Sequence, residues 1–180
     1  GDRARAWEYL AAAERSIAEH GLAGSARAPA DIARVVLSGS TVGDERAGFE
    51  GYLQTADRHS QGSAYRSFFN YAVMLTSYIT GDTERALNHY AEIQKDARWL
   101  RHNERFERMS RLSYAIIEAG RGRLSTSYAE LAEITATQHN AIATTEVIIH
   151  RLLSRRLELA AGNLRHTRAA TAPPHPVSSD

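Results

Sequence analysis

The chain contains no cysteine, only four prolines, and a single lysine among its 22 basic residues. The lack of cysteine excludes disulfides, thiolate catalysis and cysteine-ligated zinc, and it fits a reducing compartment, so we predict a cytoplasmic protein. The scarcity of proline favours helices, because proline interrupts them. The arginine that replaces lysine is spread over the whole chain and does not mark a site.

Long apolar runs and catalytic motifs are also missing. No segment approaches the roughly 18 apolar residues of a membrane span, and the first ten residues lack the apolar run of a signal peptide, so no membrane association is expected. The net charge of +1 is too small for a strongly basic nucleic-acid footprint, so direct nucleic-acid binding is not expected either. The motifs HExxH, GxSxG, GxGxxG and Walker A are absent, which predicts a non-enzyme without a cofactor.

Apolar residues recur at three- and four-residue steps through most of the chain, which indicates amphipathic helices. The predicted helices cover 2–20, 29–38, 44–59, 63–80, 82–98, 101–120, 123–138 and 140–162. The stretch ARVVLSGSTV leaves a strand open as an alternative. We predict an all-α fold of about eight helices, joined by short turns that make successive helices antiparallel neighbours. The domain should span 1–164, and residues 165–180, with three prolines and no apolar pattern, should form a disordered tail.

A short pattern recurs along the chain: GDRARA, GDERAG, GDTERA and a looser GRGRLS. These segments begin at Gly1, Gly43, Gly81 and Gly120 or Gly122, at intervals of 42, 38 and about 40 residues. Glycine can end one helix in the left-handed conformation, and aspartate can cap the next. An alanine about five residues later lets the helices approach closely, and a large residue four further on fills the adjoining groove. The pattern therefore predicts stacked helical hairpins.

The unit from Phe69 to about Ala97 resembles the tetratricopeptide repeat. The resemblance rests on a turn glycine, a small residue, an aromatic and an apolar residue, which are Gly81, Ala86, Tyr90 and Ile93. The closing proline of the family is missing, Met74 stands where the family has a small residue, and the period is nearer 40 than 34. Over about residues 1–138 the chain looks more like the longer, degenerate repeats of large bacterial transcriptional regulators of the MalT and LuxR-like type.

This resemblance implies a right-handed superhelix of antiparallel helical hairpins, a TPR-like α–α solenoid. It also implies a non-catalytic module that binds a protein, a peptide or a small-molecule inducer, as the sensor or interaction domain of a larger bacterial regulator. The alternative is a structural scaffold in which the same repeats form a homo-oligomer. Because the array begins with the second helix of a unit, we expect natural sequence to precede Gly1.

By the same resemblance, the first helix of each unit lines a concave binding groove. The residues placed there are Phe68, Tyr71, Leu75, Tyr78 and, from the next unit, Tyr114. Tyrosines suit such a surface because each combines apolar area with one polar tip. The alternative is that these residues are inter-helix core.

A basic surface is the second candidate. Its residues, at steps of three and four, are Arg98, Arg101, Arg105 and Arg108. With a bend near Trp99–Leu100, the later ones form a stripe that suits an acidic or phosphate-bearing partner. The alternative is a solvated face with local ion pairs.

No metal site is expected. Glu146 and His150 have a spacing that could hold a metal, but two ligands without a third make a weak site. His89 and Glu92, one turn apart on the best-matching unit, are interpreted as surface residues.

Overall fold

A computed structural model of the chain describes residues 2–39 and 48–136, and seven more at 153–155, 157–159 and 162. All regular structure in these ranges is helical, which confirms the all-α prediction. The α-helices are α1 (Arg3–Glu19), α2 (Ala28–Gly39), α3 (Phe49–Ser60), α4 (Arg66–Ile79), α5 (Thr83–Lys95), α6 (Ala97–Arg101), α7 (Glu104–Gly120) and α8 (Leu124–Ala136), and a 3-10 turn at Gly24–Ala26 precedes α2.

The predicted and observed helices agree within three residues at α1, α2, α4 and α8. The strand alternative for ARVVLSGSTV is wrong as far as Gly39, because those residues continue α2. The start of the predicted helix 44–59, most of 140–162, and the tail lie outside the described residues. The described part of the chain contains no helix that is both long and apolar enough to cross a membrane.

Two predicted helix boundaries, the end of 82–98 and the start of 101–120, are wrong because they miss a separate short helix. The predicted helix 82–98 ends at Lys95, and Asp96 starts a separate short helix, α6, by accepting a hydrogen bond at Oδ1 from the Trp99 backbone N–H at 3.4 Å. The bend predicted near Trp99–Leu100 therefore falls inside α6. The actual breaks flank that helix, at Asp96 and at 102–103.

The turns after α4 and α7 share one geometry. Gly81 and Gly122 have left-handed φ values of 88° and 79°. At both turns the residue after the glycine donates its N–H to the carbonyl five residues back, over 2.9 Å, and the glycine donates to the carbonyl three back, over 3.1 Å. This is the Schellman arrangement that ends a helix. The turn glycine of the last described hairpin is thus Gly122, because Gly120 still belongs to α7.

The helices after these two turns also share a register. The positions five, nine and twelve residues after the glycine are Ala86, Tyr90 and Ile93 in α5, and Ser127, Leu131 and Ile134 in α8. All are buried except Tyr90, which is half-buried. Ser127, which was not predicted as a repeat position, donates its hydroxyl to the Ala115 carbonyl on α7 at 2.8 Å. The two hairpins therefore repeat the predicted small–large–apolar pattern, while their stacking into a superhelix stays a prediction.

The chain divides into two compact units, Gly1–Ser110 and Arg111–Asp180. In the first, α2 packs against α1, α3 and α4, and α4 packs against α5. Its main core cluster consists of Val35, Phe49, Leu53, Ala56, Phe69, Ala72 and Val73. The core of the second unit consists of Leu112, Ala115, Leu131, Ile134, Leu153 and Leu157. The last two belong to the predicted helix 140–162, and both are buried.

Candidate functional site

A cavity of about 340 Å³ opens between α4 and α7 within the first unit. We call it the aromatic cavity, and its lining consists of Phe68, Tyr71, Asn103, Arg105, Phe106 and Met109. The two α4 residues lie three apart and the α7 residues span one turn, so each helix contributes a single face. The cavity thus combines aromatic walls with a side-chain amide and a guanidinium.

The aromatic walls are held by one buried ring. Phe106 is only 7% exposed. Its centroid lies 4.9 Å from Phe68, 4.8 Å from Trp99 and 5.4 Å from Tyr71, each time in an edge-to-face arrangement. Such pairs contribute about 0.5–1.5 kcal/mol each beyond their buried area. Phe68, at the outer end, stays 42% exposed, so its ring is fixed from one side and accessible from the other.

The link between α6 and α7 places the polar groups. The Asn103 side-chain amide donates to the Trp99 carbonyl at 2.8 Å, which ties the start of α7 to α6. Arg105, two residues later, is exposed and lines the cavity. Arg98 and Arg101 are exposed on α6. Arg105 therefore brings a basic residue to the cavity lining, and two further exposed arginines lie on the preceding helix.

The predicted basic surface is thus divided rather than continuous. Arg108 is largely buried, with its side chain 15% exposed, and lies 3.8 Å from the Glu104 carboxylate. Arg111, which continued the predicted stripe, contacts Glu130 at 2.8 Å and Glu133 at 2.7 Å inside the second unit. The interpretation as local ion pairs applies to these two residues, and the exposed part consists of Arg98, Arg101 and Arg105.

The predicted groove residues separate into three groups. Phe68 and Tyr71 line the aromatic cavity, whereas Leu75 and Tyr78 lie half-buried farther along α4, outside the lining of this cavity. Tyr114 is half-buried in the second unit, where burial and then the charges of nearby Glu118 and Glu130 raise its pKa.

Two residues of the cluster were missed as site residues in the sequence. Phe106 was not among the predicted groove residues, and Trp99 stood at the predicted bend. Asp96, a helix-capping residue placed just before a short apolar run, is the signal that could have indicated a separate α6. That helix brings Trp99 back against Phe106.

The interpretation of His89 as a surface residue is wrong. Its Nδ1 lies 3.0 Å from the Asn70 Oδ1, and its ring meets Phe69 edge-on with centroids 6.1 Å apart. Because Asn70 Oδ1 is an acceptor, Nδ1 carries the proton. Burial, and then the positive charges of Arg85 and Arg66, lower the pKa of His89. The neutral histidine therefore joins α4 to α5, whereas Glu92 is exposed as predicted and pairs with Lys95.

Metal-ligating groups do not cluster in the part of the chain that the structure describes, where no three His, Asp or Glu side chains converge. Glu146 and His150 lie outside that part.

Comparisons of the chain with protein-family models, curated proteins and solved structures find no match. The resemblance to tetratricopeptide repeats of bacterial regulators therefore rests on the residues named above, and any function has to be argued from the geometry.

Proposed function

We propose that the first unit binds a peptide segment of a partner protein at the aromatic cavity. In this proposal the chain is a non-catalytic helical-repeat module, the interaction or sensor domain of a larger bacterial transcriptional regulator. One observation carries the proposal: a partly exposed aromatic ring, Phe68, and a basic residue, Arg105, line the same cavity.

The dimensions and chemistry of the aromatic cavity suit a side chain presented by a peptide. A volume of about 340 Å³ is at the lower end of ligand pockets and accepts one or two side chains. Aromatic residues and arginine dominate the energetics of protein interfaces, because they combine large contact area with few rotatable bonds or several donors. The aromatic rings favour an apolar side chain in the cavity.

The charge of the rim indicates what flanks that side chain. Arg105 lines the cavity, and Arg98 and Arg101 are exposed on the preceding helix α6. Glu104, which lies between them, is drawn toward Arg108. A peptide with Asp or Glu next to an apolar residue would therefore gain complementary charge, which raises the association rate more than the affinity.

A random-sequence peptide library displayed on phage tests the proposal. We expect enriched peptides to carry a large apolar residue beside an acidic one. Replacing Phe68 by Ala should weaken the best of them at least about tenfold, the loss typical of an interface anchor. Because Phe68 is 42% exposed but makes edge-to-face contacts with Trp99 and Phe106, the free energy of unfolding should fall by about 1–3 kcal/mol. Isothermal titration calorimetry and urea unfolding measure the two quantities.

A matched control distinguishes specific binding at the cavity from nonspecific binding to any exposed aromatic residue. Tyr128 on α8 is 40% exposed, nearly the same as Phe68, so Tyr128→Ala should leave binding unchanged. Arg105→Gln should reduce binding mainly at low salt, since a rim charge acts through long-range attraction. Equal losses from Phe68→Ala and Tyr128→Ala, or a library without any enriched sequence, would contradict the proposal.

The second candidate function, self-association, is favoured by a separate surface. A groove of about 730 Å³ between α1 and α2 is lined almost entirely by apolar side chains, and we call it the α1–α2 groove. Leu10 is the buried residue of α1, while Ala13, also in the groove lining, is exposed. At the edge, Tyr9 is 64% and Val36 37% exposed. Small and large side chains side by side suit a second copy of the same face, packed about a two-fold axis.

Light scattering over a range of protein concentrations tests self-association. A dimer formed through the α1–α2 groove should dissociate on Ala13→Glu, because the new carboxylate would be buried without a partner. Ala11→Glu, on an exposed position of α1 outside the groove lining, should leave the dimer intact. A strictly monomeric protein at all concentrations would remove this candidate and leave peptide binding unaffected.

A further inference from the structure

A third cavity lies between α1, α2 and α3, within the first unit, and differs from the other two in being polar. Its volume is about 300 Å³. We call it the polar pocket, and its lining consists of Glu14, Arg27, Asp31, Arg34, Tyr52 and Thr55. Asp31 and Arg34 lie three apart on α2 and share one helix face, and Arg27 directly precedes that helix.

One wall of the polar pocket is a fixed ion pair. Arg34 donates through Nε to the Glu14 carboxylate at 2.9 Å, and its guanidinium lies 5.0 Å from the centroid of the Tyr52 ring. Burial by itself would lower the pKa of Arg34, but the hydrogen bond and charge of Glu14, joined by Tyr52, outweigh burial and raise it. The charges of Glu14 and Arg34 therefore compensate each other, and this wall is rigid and neutral.

The floor of the pocket is a buried carboxylate. Asp31 is only 8% exposed, and its Oδ2 lies 2.7 Å from the His59 Nδ1, which donates. Its Oδ1 makes no hydrogen bond with any residue that the structure describes. This oxygen is not among the described side-chain atoms that are fully buried without a partner, so it stays open to the pocket, where a ligand can supply a donor.

Arg27 stands at the mouth, one helical turn before Asp31. It is exposed, and within the described ranges it forms no ion pair, either with Asp31 or with another acid. It also directly precedes α2, whose amino-terminal end carries partial positive charge. A carboxylate that enters here would meet a guanidinium and a favourable helix dipole together.

We propose that the polar pocket binds a small zwitterion of the amino-acid class, with its ammonium at Asp31 and its carboxylate at Arg27. The formal charges of the four ionisable side chains in the lining sum to zero. A ligand with a single charge would leave one of the two available groups without a partner, whereas a zwitterion satisfies both. This site is separate from the aromatic cavity, and the inference is independent of peptide binding there.

Calorimetric titration of the whole chain with neutral L-amino acids tests the proposal, with L-leucine as the reference probe. Two analogues divide its charges: 3-methylbutylamine lacks only the carboxylate, and 4-methylpentanoate lacks only the ammonium. We expect a neutral amino acid to bind with a Kd of about 1 mM or tighter, and each truncated analogue to bind at least about tenfold more weakly, the effect of one lost hydrogen bond to a charged group.

Two substitutions assign the contacts. In Arg27→Gln, leucine should bind no more tightly than 3-methylbutylamine. In Asp31→Asn, leucine should bind no more tightly than 4-methylpentanoate. Since Asp31 also bonds to His59, circular dichroism must show that the second variant is folded. Arg27 is exposed and its variant should fold normally, which keeps the test decisive. Arg98→Gln removes an exposed guanidinium on α6, outside the pocket lining, and should change nothing.

Three results would overturn the proposal. The first is that no neutral amino acid binds at about 10 mM, a concentration that detects even weak complexes. The second is that the truncated analogues bind as tightly as leucine. The third is that the leucine affinity is insensitive to Arg27→Gln, which would mean that the ion pairs of this pocket only join the three helices.

Discussion

Replacing Gly39 by Ala is expected to destabilise the first unit by about 1–3 kcal/mol, the cost of overpacking a filled core. A Cβ at Gly39 would lie 2.6 Å from Thr76 Cγ2, 2.7 Å from Thr76 Cβ and 2.8 Å from Phe49 Cε2. Neither of these two side chains can easily move away. Thr76 is 1% exposed, and its hydroxyl donates to the Ala72 carbonyl at 2.9 Å. Glycine at this position therefore lets α2 lie directly against α4.

Gly51→Ala is the matched control, because glycine is replaced by alanine in a helix in both cases. A Cβ at Gly51, on α3, meets nothing within 4 Å. There the usual preference of helices for alanine should prevail and stabilise the protein by about 1 kcal/mol. Urea unfolding followed by circular dichroism measures both changes. If both variants are stabilised, helix propensity alone decides the outcome. If both are destabilised, the protein is sensitive to any substitution of a helical glycine. Either result would contradict the close α2–α4 contact.

The local part of the fold could be predicted from the sequence, because helices, caps and turns depend on neighbouring residues. Gly81 and Asp82 indicated a helix end and a helix start, and both occur there: Gly81 is left-handed, and the Asp82 carboxylate accepts from the Arg85 backbone N–H at 3.0 Å. The spacing also indicated burial of Ala86 and Ile93, both 0% exposed. Such features follow from helical periodicity alone.

Contacts between helices were harder to predict, because helical periodicity gives the buried face of a helix but not its partner. His89 looked like a surface residue beside Glu92, yet it bonds to Asn70, nineteen positions earlier. Asp31 and His59 are twenty-eight positions apart, and no sequence pattern indicated that they would pair. Pairs of this kind have no local signature, so neither the polar pocket nor the full aromatic cluster could be assembled before the helices were placed.

The predicted binding residues illustrate both cases. Phe68 and Tyr71, three residues apart on α4, line one cavity, and their role in binding stays a prediction. Their partner ring Phe106 belonged to a helix whose start had been predicted three residues too early, and Trp99 belonged to a short helix that had not been separated from its neighbour. The missed boundaries around α6 therefore concealed the cluster, although the longer helices on either side were recognised.

Phe106→Ala is expected to be the most damaging single substitution at the aromatic cavity, with a loss of about 3–5 kcal/mol in the free energy of unfolding. Phe106 is 7% exposed and is the one ring in edge-to-face contact with Phe68, Tyr71 and Trp99 together. Its removal leaves a void beside an existing cavity, and the remaining rings lose their common support. Phe106→Leu, which fills part of the void but loses the three ring contacts, should cost about 1–3 kcal/mol, less than Phe106→Ala.

Fluorescence gives a local reading of the same change. The chain has two tryptophans, so a Trp7→Phe background makes Trp99 the sole reporter, with its ring 4.8 Å from Phe106. Urea unfolding followed by Trp99 emission and by circular dichroism should give the same midpoint for the parent chain. In Phe106→Ala, Trp99 should become more exposed before the helices melt, because its packing partner is gone. Phe68→Ala serves as the control, and an equally large loss of stability in that variant would show that the exposed ring is core and that no ligand surface exists at this cavity.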